Sequence, residues 1–191
     1  MPETLILAFD GRATYSFGRS ETHSFSVFGG PMDCNVSGKP PVPDRLHYVA
    51  RLNHNDLPVL GPPSYAFDLP LLYGLRYTDE VNLTYQFEHT DVSVLASPGT
   101  FDDDLPYRNY PTLLPYIPIT VVKRKKQTWK QFAGEFPNMK EEQPSDLVVV
   151  VPPPMTIGVS LWGREGDAEG VAMVFECDLQ GMTVTAYNVC T

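Results

Sequence analysis

Nineteen prolines are spread through 191 residues, and they constrain the fold more than any other feature of the chain. Proline has no N–H to donate, and its ring collides with the preceding helical turn, so it ends helices and sits at turns or strand edges. A bundle of long helices is excluded. Between the breaks lie short apolar stretches, several with a period of two.

That period is clearest in "LHYVARL" (46–52), which puts Leu46, Tyr48, Ala50 and Leu52 on one face and His47, Val49 and Arg51 on the other. "THSFSVFGG" (22–30) alternates likewise, with Phe25 and Val27 opposite Ser24, Ser26 and Phe28, and stops at Gly-Gly. Strands are also expected at 4–10, 69–77, 81–87, 91–96 and 116–123. The stretches 37–44 and 97–115 read as loops, the second long enough to be a functional loop or a covering flap.

One helix is expected, "TWKQFAGEF" (128–136). Thr128 and Gln131 have capping-box spacing, and Trp129, Phe132, Ala133 and Phe136 share one face. A polar linker then leads to "LVVVVPPP" (147–154), apolar throughout and so a strand buried on both faces. Strands follow at 155–162, 170–179 and 182–189. No regular βαβ alternation occurs, so the expected class is a β-rich α+β fold: a mostly antiparallel twisted sheet or sandwich with one or two short helices. The chain length fits a single β-rich domain over 1–191, with a subdivision point near 137–146.

A formal charge of −9 argues against nucleic acid, whose phosphates need a surplus of Lys and Arg, and suits a basic protein partner. "MPETLILAFD" has no cationic start and too short an apolar run for a signal peptide, and no stretch is long enough to cross a bilayer, so a cytoplasmic location is expected. Cys34, Cys177 and Cys190 are odd in number and lack a CxxC pair, which fits sequestered thiols in a reducing compartment.

No motif of strong chemical specificity occurs: no phosphate-cradling loop, HExxH, GxSxG or paired-cysteine zinc site. The weaker candidates each have a structural alternative. His47, His54 and Asp56 are zinc-type ligands if a turn brings them together; otherwise His47 lies on a solvated strand face, and His54, Asn53 and Asp56 make turn hydrogen bonds. The acidic stretches 102–104 and 165–169 carry oxygen ligands for a cation, or are solvated loops. "KRKK" (123–126) is a basic patch or a charged strand end. Cys177 and Cys190 could approach across the last two strands, with His89 as a histidine partner. No cofactor is indicated.

The order of "SFSVFGGP" (24–31), "LHYVARLNHNDLP" (46–58), "LPLLYGLRYTDE" (69–80) and "LWGREGDAEGVAMVFECDL" (161–179) resembles the YwqG-like family of uncharacterised, mostly bacterial proteins. Arg51 stands where that family favours Gln, and "GREGDAEG" is longer than its Gly-Asp-Ala-Gly turn. The resemblance implies a β-rich fold with short helices, and carries over no activity or catalytic residue. Arg51 and Asn53 on one shared segment, with Trp162 and Asp167 on another, are the candidate binding residues, although turn chemistry alone also demands Asn, Gly and Asp. The expected function is a non-catalytic, regulatory or immunity-type protein-binding module. The alternative is a metal-dependent hydrolase or small-ligand enzyme using His47, His54 and an acidic loop, and a third class is an assembly component.

Overall fold

The computed structural model describes residues 3–22, 24–38, 46–61, 67–77, 82–96, 101–102, 104, 110–153, 157, 161 and 170–190. Its strands are β1 (Thr4–Phe9), β2 (Ala13–Arg19), β3 (Ser26–Phe28), β4 (Asn35–Gly38), β5 (His47–Leu52) and β6 (Leu69–Tyr73), then β7 (Leu83–Glu88), β8 (Asp91–Ala96), β9 (Ile117–Lys126), β10 (Leu147–Val151), β11 (Val171–Asp178) and β12 (Thr183–Cys190). They form one 12-stranded sheet in the order β4-β8-β7-β12-β11-β10-β1-β2-β9-β3-β5-β6. Every pairing is antiparallel except β4 with β8. One short helix, α1 (Trp129–Ala133), and a 3-10 turn at Pro58–Leu60 complete the regular structure among the described residues. The fold is β-rich α+β, as expected.

The sheet folds over on itself. Strands from its middle and from both ends contribute to one inner core: Leu147, Val149 and Val151 of β10, Leu71 and Tyr73 of β6, and Tyr85 and Phe87 of β7. The Tyr73 ring meets Phe175 of β11 edge-on at 6.4 Å. A smaller cluster lies on the outer face, where Val148, Val150, Ala172 and Val174 pack beneath Phe132 and Phe136. The "LVVVV" strand is apolar throughout because its odd residues face the inner core and its even residues face α1.

Helix α1 begins where the capping box predicts. Thr128 Oγ1 accepts from the Gln131 N–H, and the Gln131 side chain accepts from the Thr128 N–H at 2.9 Å. Phe132 stacks on Phe9 of β1 at 5.1 Å, which fastens the helix to the sheet.

Other local expectations are corrected. The strand β2 is not among the expected strands; six of its seven residues are buried or half-buried between β1 and β9. The start of the expected 37–44 loop is strand: β4 takes Ser37 and Gly38, held parallel to β8. Phe25 is not a core partner of Val27 but is 51% exposed. The basic run is the charged strand end ahead of the helix, but the strand runs three residues further than expected: Lys123–Lys126 are the last four residues of β9 and pair along β2. Cys177 lies opposite Val184 and Cys190 opposite Val171, at opposite ends of their hairpin. Six residues of strand span about 20 Å, so the two backbones do not approach. The strand expected at 155–162 falls outside the described residues except for Ile157 and Leu161.

The two ends of the folded sheet meet without strand pairing between β6 and β7. Instead the buried Tyr85 hydroxyl donates to the Pro70 carbonyl at 2.8 Å and accepts from the Leu72 N–H at 3.1 Å. Tyr85→Phe keeps the packing but leaves two buried backbone groups unsatisfied, each costing about 1–3 kcal/mol. The expected loss in urea unfolding is about 2 kcal/mol or more; an unchanged midpoint would show that the bridge does not hold the seam.

Candidate functional site

Beside this seam lies an open cleft of about 790 Å3. Tyr48 and Arg51 of β5, with Phe67, Asp68 and Pro70 at the start of β6, form one wall. Gln86 to Thr90 of the β7–β8 hairpin, with Met182, form the other. Asp33 and Cys34 come from the β3–β4 connection, which crosses from one end of the sheet to the other.

Strict alternation puts Tyr48 and Arg51 on opposite faces, yet both bond to the same carboxylate. The Tyr48 hydroxyl donates to Asp33 Oδ1 at 2.6 Å, and an Arg51 terminal nitrogen donates to Asp33 Oδ2. The cause is a bulge: Tyr48 pairs with Leu72 and Ala50 with Leu71, so Val49 is extra. An extra residue reverses the alternation beyond it and re-aims the side chains that follow.

Arg51 is bracketed by acids. Its Nε lies 3.5 Å from Asp68 Oδ2, and its second terminal nitrogen reaches the Phe25 carbonyl at 3.5 Å. Asp68 also accepts from the Asn53 side-chain amide. His54 Nδ1 stands 4.0 Å from Asp68 Oδ1. Glu88, exposed on the opposite wall, makes no ion pair among the described residues. His89 and Met182 hold positive φ angles of 54° and 49°. His89 opens the two-residue turn between Glu88 and Asp91, a position where glycine is the unstrained choice.

The predicted site residues divide. Arg51 and His54 line the cleft, and Asn53 supports it through Asp68. His47 does not line it, and the expectation of a solvated His47 is overturned: the residue is 2% exposed. Its Nε2 lies 2.9 Å from the Pro111 carbonyl, which only accepts, so Nε2 carries the proton. Its Nδ1 is buried and has no hydrogen-bond partner among the described residues. The Tyr110 ring packs edge-on at 5.2 Å. Asp56 also points elsewhere, accepting from the Ser26 N–H and hydroxyl and from Thr120, which pins the turn to β3 and β9. Among the described residues no three His, Cys, Asp or Glu side chains are grouped as metal ligands. Trp162, Asp167 and the acidic stretch 165–169 lie outside the described residues. Asp102 accepts from the Asp104 N–H in a local turn.

Sequence reasoning missed Asp33, Asp68, Glu88 and Phe67. No local pattern marks them; they meet only because the sheet closes on itself. His89 and Cys34 were noticed for other reasons.

Comparison of the chain with family models, curated proteins and solved structures gave no match. The YwqG-like resemblance therefore rests on the quoted segments alone.

Two protonation states follow from these surroundings. Burial, reinforced by the Asp33 charge, pushes the Cys34 thiol up to about 11, so it is not a ready nucleophile near neutrality. Alkylation of Cys34 by iodoacetamide at about pH 7.5 should be slow beside a free thiol of pKa about 8.5 and should rise steeply with pH; fast neutral labelling, read by peptide mapping, would contradict this. Burial lowers His47 below its ordinary value of 6.5; the Pro111 carbonyl opposes this and the Arg76 charge adds to it. The folded state therefore resists a proton that the unfolded chain accepts. Stability should be complete above about pH 6.5 and fall as the pH drops below it. Urea titrations between about pH 7 and 5.5 should show a larger loss for wild type than for His47→Gln.

Proposed function

We propose that the protein is a non-catalytic binding protein that engages a basic protein partner through the seam cleft. The observation that carries this reading is the charge balance among the described residues of the cleft, where Asp33, Asp68 and Glu88 accompany one guanidinium, Arg51. Among the described lining residues, three negative charges against one positive leave a formal charge of −2 with the histidines counted as neutral, in keeping with −9 for the whole chain. Walls of one dominant sign concentrate the field and draw in the opposite charge.

The bonding of the cleft also favours holding over reacting. Asp33 is occupied by Tyr48 and Arg51, Asp68 by Arg51 and Asn53, and the Cys34 thiol is protonated at neutral pH. A surface of this kind offers shape and charge without an activated nucleophile.

Affinity capture from an extract of the native source tests the reading. A stoichiometric complex is expected at low salt, weakening as salt screens the exposed charges. No protein partner at low or moderate salt would overturn it, as would a captured partner with an acidic contact surface.

A further inference from the structure

We infer, resting on the basic-partner reading above, that the cleft seats the charged end of one lysine or arginine side chain, with its aliphatic stem against Phe67. The first reason is what the cleft refuses. The Arg51 guanidinium is already committed: its terminal nitrogens donate to Asp33 and the Phe25 carbonyl, and Asp68 forms an ion pair with it, 3.5 Å from Nε. An anionic ligand would have to break that set while facing three carboxylates. A wholly apolar ligand would strip water from charged walls without replacing its hydrogen bonds.

The second reason is what the cleft leaves open. Glu88 stands on the hairpin wall without an ion pair among the described residues, opposite the wall that carries Asp68. Phe67 is only partly buried and leans on the buried Phe87 at 5.6 Å, with 54° between the rings, which leaves aromatic surface in the cleft. Aromatic faces attract ammonium and guanidinium groups, and apolar surface suits the methylene stems of Lys and Arg. A volume of about 790 Å3 exceeds one side chain, so residues flanking the inserted cation enter the mouth as well.

The test uses the whole chain and four capped tripeptides, Gly-X-Gly, in which X is lysine, arginine, Nε-acetyllysine or glutamate. Binding is followed by the backbone amide NMR shifts of the protein. The lysine and arginine peptides should move the amides of Phe67, Glu88 and His89 saturably, while the acetyllysine and glutamate peptides should not. Glu88→Gln, an exposed change that breaks no bond within the described chain, should weaken the lysine peptide by about five-fold, the upper range for one exposed ion pair. Equal binding of lysine and acetyllysine, or shifts confined to other surfaces, would overturn the inference. A partner captured equally by wild type and Glu88→Gln would overturn it while leaving the basic-partner reading intact. Cationic peptides that bind in the cleft while no protein partner is captured would do the reverse.

Discussion

The hydroxyl of Tyr85 is the constraint on which the rest of the molecule depends. A 12-stranded, mostly antiparallel sheet with a continuous apolar face must bury that face, and here it does so by folding until β6 packs against β12 and comes within reach of Tyr85 of β7. Strand pairing does not finish the closure. One fully buried phenol instead satisfies the backbone of β6 at Pro70 and Leu72. Buried backbone groups without partners are costly, so this bridge sets how the two ends of the sheet meet. The apolar surround raises the Tyr85 pKa well above its ordinary value and keeps the donor proton in place.

The cleft follows from that closure. The two ends meet at Tyr85 but diverge beyond it, and the β3–β4 connection crosses the gap. Asp33 ties this connection to β5, while the Asn35 N–H donates to the Thr90 carbonyl at 2.7 Å beside β8. The same segment therefore fastens both ends and forms part of the cleft wall. A single bulge at Val49 lets Tyr48 and Arg51 share Asp33. Without the extra residue one of them would face away, and the Asp33–Arg51–Asp68 chain of charges would not form.

Legibility varied with the range of the interaction that decides each feature. The helix start at Thr128 was readable because a capping box spans four residues and acts within them. The "LVVVV" strand was readable because burial on both faces leaves no polar position. His47 was misread because alternation assigns a face but not what covers it; Tyr110 and Pro111, far along the chain, close over its ring. The Cys177–Cys190 approach failed for a related reason, since adjacency of two strands does not determine register.

By itself the chain determined its β-rich class, its capped helix, its doubly buried strand and its acidic balance. These are set by backbone propensity, residue period and charge, which act over a few residues or are simple sums. Only the tertiary structure decided that Asp33, Arg51, Asp68, Phe67 and Glu88 share one cleft, and that His47 and Asp56 are taken up elsewhere. Those outcomes depend on the closure at Tyr85 and the bulge at Val49. Both arise from packing between strands distant in sequence, where a one-residue change in register reverses which side chains face one another.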